Sequence, residues 1–219
     1  MSGRFLVVTA VAAESDALAA ALGVDDETRI GPYRARTGAG VTLLTGGVGP
    51  AAAATVTATA LALAGGAEQY ALAVSAGIAG AIGGRAQLGE VVEATRIVAA
   101  DLGAEGPDGF HSVSELGFGS DEIAATTLGV PGAIHGPIFT VSTVTGSEQR
   151  AAELEARGGV AEAMEGFGVA TAAAEFGVPV AEIRAISNAV GLRERDRWDI
   201  PGALAALALA AKTLRKNGS

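Results

Sequence analysis

The chain contains no cysteine, which removes both a disulfide framework and a thiol nucleophile. Its two histidines, His111 and His135, stand apart without the spacing of metal ligands, so no metal or other cofactor is expected. Cations are scarce: 15 Lys and Arg against 24 Asp and Glu give a net charge of −9, and a nucleic-acid partner would need a basic face. Aromatic residues make up only 4% of the chain, so Ala, Val, Leu and Ile must fill its core. No uninterrupted apolar run reaches the roughly 18 residues of a membrane span, and no membrane partner is expected. The opening MSGRFLVVTAVAAES imitates a weak signal peptide, with one Arg, a short apolar run and Ala10-Val11-Ala12. That run is short for export and reads better as a buried first strand. A reducing, cytoplasmic setting is the expectation, and the Asn217-Gly218-Ser219 sequon then has no meaning.

What is present suits one α/β domain over residues 1–219, since 49% of the chain is hydrophobic. Strand-length apolar runs occur at 4–11, in YRART and VTLLTGG around Gly38-Ala39-Gly40, and at 70–77, 90–100, 133–144 and 179–190. Helical patterns occupy 14–22, 50–64, 121–128, 147–157, 166–176 and 201–216. This alternation, with a hairpin near the start, predicts a central mixed β-sheet flanked by helices. Residues 101–120 read as one long irregular segment, either functional or mobile.

Ligands in open α/β sheets bind beyond the carboxyl ends of strands. Those ends carry Glu14, the turn GGVGP (46–50) with Val48, the stretch SAGIAGAIGG (75–84), a short junction with Glu165, and SNAVGLRERDRW (187–198). GGVGPAA fits the dinucleotide pattern G-x-G-x-x-A, but the acidic residue expected after the next strand is missing: that end carries Ser75. A tight turn that lets a helix pack closely explains the same glycines. Glu14 suits the first turn of a helix on electrostatic grounds alone, Asn188 suits a turn ending a strand, and Trp198 suits a core aromatic. Arg193, Arg195 and Arg197 alternate with acids as charged loops do. Glu165 is harder to explain. It stands between Met164 and Gly166-Phe167 at the mouth of an apolar helical run, with few cations in the nearby chain. An unpaired buried carboxylate costs several kcal/mol, so something must hydrogen-bond it.

Taken in order, these residues resemble the nucleoside phosphorylase/nucleosidase family. The likeness runs from VVTAVAAESDAL through GGVGPAAAA and VSAGIAGAIGG to EAMEGFGVA and RAISNAVGLRERDRW, and is greatest to its methylthioadenosine/S-adenosylhomocysteine nucleosidase and futalosine hydrolase branches. The resemblance implies a three-layer phosphorylase-like fold with a mixed sheet. It implies that Glu165 accepts hydrogen bonds from the ribose 2′- and 3′-hydroxyls, with Met164 against the sugar, and that Glu14 deprotonates the attacking water. Ser75, Ala76 and Gly77 would bring backbone to the purine, residues 142–145 would line the same pocket, and Arg184 and Ser187 would support Asn188. The methylthioadenosine enzymes carry Asp where this chain has Asn188. An amide donates to a C6 carbonyl and accepts from N7–H, which fits a 6-oxopurine and favours the futalosine branch. A substrate carboxylate would pair with an Arg of 193–197, taken here as Arg195, and Trp198 would cover the sugar or stack on an aryl group.

Phosphorolysis needs an anion site, and neither glycine-rich stretch holds a cation, so water is the expected nucleophile unless Arg29, Arg34 or a partner subunit supplies one. The competing readings are another purine nucleosidase or phosphorylase and, in a different class, a non-catalytic binding domain. The expected partner is a small purine nucleoside, and the resemblance implies a homo-oligomer.

Overall fold

The computed structural model describes residues 4–217. Strand β1 (Arg4–Thr9) leads into helix α1 (Ala12–Leu22). Next come β2 (Asp26–Ile30), β3 (Tyr33–Gly38) and β4 (Val41–Thr45), antiparallel in sequence, with β4 returning parallel to β1. Helix α2 (Pro50–Ala64) opens on a proline, where the missing N–H has no intrahelical partner to lose. Then follow β5 (Tyr70–Ala81), β6 (Val91–Ala99), the hairpin β7 (Gly103–Gly106) and β8 (Gly109–Ser112), β9 (Glu122–Ala124) and β10 (Ile134–Thr140). Helix α3 (Glu148–Ala156) is capped by the Ser147 hydroxyl, which accepts from the Arg150 N–H. The chain ends with β11 (Ala161–Ala163), α4 (Gly166–Glu175), β12 (Val180–Ala189) and α5 (Ile200–Asn217).

Ten strands form one mixed sheet in the order β11-β10-β6-β12-β5-β1-β4-β3-β2, with β9 on β6. Strand β11 also pairs antiparallel with β5, so β5, β12, β6, β10 and β11 close into a ring while β1 to β4 form an open wing. Alternating side chains go to opposite faces. Leu6, Val8, Ala73 and Ile186 pack beneath α2 and α4, whereas Phe5, Val7, Val74 and Ile183 pack beneath α1 and α5. Helices cover both faces, which is why the central strands read as continuous apolar runs. The expected three-layer α/β arrangement is present.

Several local expectations are corrected. Residues 121–128 are not a helix: β9 pairs with β6, and the amides of Leu128, Gly129 and Val130 all converge on the buried Glu93 carboxylate. Three charge-assisted bonds outweigh helical spacing. The 101–120 segment contains the β7–β8 hairpin. Strand β5 runs on through residues 78–81, beyond the predicted 70–77, and β2 escaped the sequence reading because its DETRI is mostly exposed. Among the described residues no helix is long and apolar enough to cross a membrane. Two residues of the Asn217 sequon, Gly218 and Ser219, lie outside the described residues.

Candidate active site

Strand β5 outruns its neighbour. Its pairing with β1 ends at Val8↔Ser75, and beyond it the Ile78 N–H donates to Glu14 Oε1 at 3.0 Å. The other oxygen of Glu14 accepts from Ala10 N–H at 3.0 Å and Val11 N–H at 3.3 Å, closing the first turn of α1. The helix-start reading of Glu14 is therefore correct as far as it goes, but one oxygen reaches past the helix to the centre of the sheet. Burial raises its pKa above the usual carboxylate range, while the Arg184 guanidinium and the backbone donors pull the other way.

Arg184 organises the site. It is 1% exposed, on the strand paired with β5, and its register partner there is Gly77. Its Nε donates to Glu182 Oε1 at 2.8 Å, its NH1 to Glu165 Oε2 at 3.1 Å and its NH2 to Ser75 Oγ at 2.8 Å. Glu165 precedes α4, and its second oxygen accepts from Gly49 N–H at 3.1 Å, so the GGVGP turn presents an amide to a carboxylate rather than to a phosphate. This overturns the expectation that Glu165 lacks a cationic partner and relies on substrate hydroxyls for its burial. The fold itself supplies Arg184, nineteen positions away in sequence and adjacent in space. Each oxygen of Glu165 has one donor in place and can accept another, so the carboxylate keeps room for two hydroxyl donors.

Arg184 thus faces three buried carboxylates: Glu14 from α1, Glu165 from the start of α4, and Glu182 two positions back on β12. Burial alone would lower its pKa, but Glu182, Glu165 and Glu14 together hold it above the ordinary arginine value. Burial likewise raises the Glu182 carboxyl. Sequence reasoning missed Glu182 altogether and assigned Arg184 to Asn188, with which it makes no hydrogen bond among the described residues. The signal was there: E-x-R on a strand buried on both faces puts opposite charges on the same face.

Gly77 is the contact point. A Cβ at residue 77 would lie 2.5 Å from Glu14 Oε1 and 2.6 Å from Arg184 NH1. Gly77→Ala is expected to push these two groups apart and lower kcat/KM by up to about a hundredfold, as an ångström of misplacement does. Steady-state assays on the folded variant check this, and unimpaired activity in Gly77→Ala would contradict the placement.

The other predicted residues divide. Ser187 Oγ donates to Asn188 Oδ1 at 2.8 Å and Asn188 Nδ2 donates to the Ala189 carbonyl at 2.9 Å, so Ser187 does support Asn188. Asn188 lies four residues beyond Arg184 on β12, past a register shift, beside Gly80. Asp199 N–H on the Ser187 carbonyl (2.8 Å) folds the loop carrying Trp198 back onto that end of the strand. Arg193 and Arg195 each stand 5.9 Å from the Trp198 ring centroid, so Arg195 is a stacking partner of Trp198 and joins no ion pair among the described residues. Val48 is 57% exposed at the tip of its turn. Met164 packs against the apolar cluster of Ile82, Phe139 and Leu154. The side chain of Ala76 turns away from Ser75 and Gly77 into the layer under α1 and α5, and residues 75–77 lie in β5, as the strand read over 70–77 predicts. Thr145 bonds Glu162 through both its amide and its hydroxyl, a separate anchor from the Arg184 cluster.

Two clefts lie elsewhere on the described surface. One, of about 410 Å³, is lined by Arg29, Arg34 and Arg36 of the β2–β3 hairpin and by Ala12 and Ser15 of α1. The second, about 1430 Å³, lies under the β7–β8 hairpin beside Arg150 and Arg157. Neither is lined by Glu14 or Glu165.

A family model described as the phosphorylase superfamily matches residues 4–216. The chain is 50% identical over 215 residues to a futalosine hydrolase of Streptomyces coelicolor, covering 93% of this chain and 92% of that protein. It is 44% identical to a futalosine hydrolase of Acidothermus cellulolyticus, over 93% and 87% of the two chains. Among solved structures, the native futalosine hydrolase of Helicobacter pylori superposes with a TM-score of 0.83 at 18% identity, over 99% of each chain, a likeness of fold. On the full-length match and on this identity, the chain belongs to the phosphorylase superfamily and, within it, to the futalosine hydrolase family.

Proposed function

We propose that the chain hydrolyses the N-glycosidic bond of futalosine, releasing hypoxanthine and dehypoxanthine futalosine as a cytoplasmic step of menaquinone biosynthesis. The observation that carries this reading is the pair of buried carboxylates, Glu14 and Glu165, on either side of one guanidinium. Glu14 takes a proton from water as the water oxygen bonds to C1′. The C1′–N9 bond breaks with its electron pair passing to the purine, which takes a proton from solvent at N7 as it leaves, and Glu14 returns the water proton to solvent once the products depart. Glu165 accepts the 2′- and 3′-hydroxyls, and those bonds strengthen as the ribose gains oxocarbenium character, so they favour the transition state over the bound substrate. Arg184 pairs with Glu165 and fixes its orientation. Asn188, its oxygen pinned by Ser187, retains one N–H for O6 and one lone pair for N7–H. Met164 and Val48 border the sugar, and Trp198 with Arg195 borders the carboxylate-bearing 5′ extension. Exposed Phe118 (82%), with Leu102 and Leu116 on the same segment, supports a homo-oligomer.

Incubation with futalosine, inosine and methylthioadenosine, with and without phosphate, tests the reading. Hypoxanthine released from futalosine without phosphate is expected; adenine from methylthioadenosine alone, or no base at all, would refute it. A phosphorylase is the second reading: Arg29, Arg34 and Arg36 line the cleft beside α1, where Asp16 and Glu27 offset them and Asp16 pairs with Arg36, and an absolute phosphate requirement would establish it. Asn188→Asp is expected to move preference toward 6-aminopurines by at least about tenfold in relative kcat/KM, because a buried polar group left unpaired discriminates strongly. Relative kcat/KM on inosine and adenosine measures that shift, and an unchanged ratio would remove Asn188 from base recognition.

A further inference from the structure

Glu182 has no part in the chemistry above, yet it is the most deeply buried carboxylate of the cluster. It lies 1% exposed at the centre of the sheet, opposite Ser75 in register. One oxygen takes Arg184 Nε at 2.8 Å. The other lies directly beneath Gly166, the first residue of α4, where any Cβ would overlap it, and faces the Ser75 hydroxyl across the strand pair. An ionisable group buried at the centre of a sheet costs stability on its own account. Its position therefore calls for a compensating role.

The guanidinium explains it. Arg184 carries five N–H donors on three nitrogens in a rigid plane. With Nε fixed, the two remaining arms can point only where the plane allows, and here they meet Glu165 and Ser75. Without that anchor, the side chain could rotate about its terminal bonds and still find an acid, either Glu14 or Glu165, in several poses. We propose that Glu182 is a positioning residue for hydrolysis, acting through Arg184: its hold on Nε sets the plane of the guanidinium and hence the orientation of Glu165 toward the sugar. The absent side chain at Gly166 is part of the device, because it lets α4 deliver Glu165 directly above Glu182.

The inference rests on the hydrolytic reading, and its test separates the two. Glu182→Gln keeps a carbonyl acceptor for Nε and is expected to retain kcat within about threefold. Glu182→Leu has similar bulk and no acceptor, and its kcat is expected to fall at least about tenfold with KM changed less than about threefold, the mark of lost orientation rather than lost binding. Were Glu182 only a stabiliser of the fold, Glu182→Leu would lower Tm and leave kcat intact well below that Tm. Wild-type kcat in folded Glu182→Leu, or a Glu182→Gln enzyme as slow as Glu182→Leu, would overturn the proposal. Should Glu182→Leu not fold, hydrogen exchange of the Arg184 Nε–H decides, its NMR signal assigned by its loss in Arg184→Lys. Slow exchange in both the wild-type protein and Glu182→Gln is expected, and exchange as fast as that of exposed Arg34 would overturn the anchor. If wild-type protein releases no base from futalosine, the hydrolytic reading fails, while the exchange measurement still reports on the anchor.

Discussion

Glu14→Gln is expected to lower kcat on futalosine by at least about a hundredfold, the lower end of what a positioned general base supplies. The variant should stay folded. A glutamine oxygen can replace one carboxylate oxygen, facing either Ile78 N–H or the Ala10 and Val11 amides, although its NH₂ then meets a donor at the other end. Binding of an uncleavable analogue should change far less than turnover. In the wild-type enzyme the base must be ionised to act, and burial raises its pKa. The acid limb of kcat/KM is therefore expected above the ordinary Glu value of about 4.3. The stability sign follows: a carboxyl raised in the fold contributes most below that ordinary value, and its contribution is lost as pH rises through the raised one. A rate profile measured across the acid range checks the limb, and wild-type activity in Glu14→Gln would leave the catalytic base unassigned.

Glu165→Gln should be comparably severe for rate and worse for stability. Its amide cannot neutralise Arg184, and turning its oxygen toward the guanidinium presents an NH₂ to the Gly49 N–H. Breaking one partner of a buried pair costs about 3–5 kcal/mol when the remaining charge is stranded. Here Glu182 stays in contact with Arg184, so the loss is smaller, and Tm is expected to fall by roughly 5–10 °C. Loss of the ribose acceptor is expected to lower kcat by at least about a hundredfold, since bonds that strengthen in the transition state act on turnover. Thermal melts and steady-state kinetics on the same preparation report both effects. Unchanged values of both would mean that the Arg184–Glu165 contact carries neither role.

Much of the fold was legible because the central strands are buried on both faces and their apolar runs are unbroken. Helices α2 and α4 follow from Ala-rich runs with Pro50 and Gly166 at their starts. The failures have physical causes. DEIAATTL has helical spacing, but Glu93, distant in sequence, captures the three amides that follow β9. IAGA, residues 78–81, falls outside the strand read over 70–77 because glycine and alanine weaken a strand, yet Gly77 and Gly80 are small because Glu14, Arg184 and Asn188 crowd against that strand. Glu14, Glu165 and Asn188 were each found at a strand end. What the sequence hid was the charge balance among them, because Arg184 pairs across the sheet with residues on other elements. The isolation of Glu165 was inferred from its neighbours along the chain, and a tertiary contact had already answered it.

The most direct test is a crystal structure of the Glu14→Gln protein with intact futalosine bound. The ribose 2′- and 3′-hydroxyls are expected within hydrogen-bonding distance of Glu165, a water or the C1′ face next to residue 14, and the purine O6 and N7 edge at Asn188. A nucleoside seated instead in the cleft beneath the β7–β8 hairpin, or a ribose turned away from Glu165, would contradict the hydrolytic site described here.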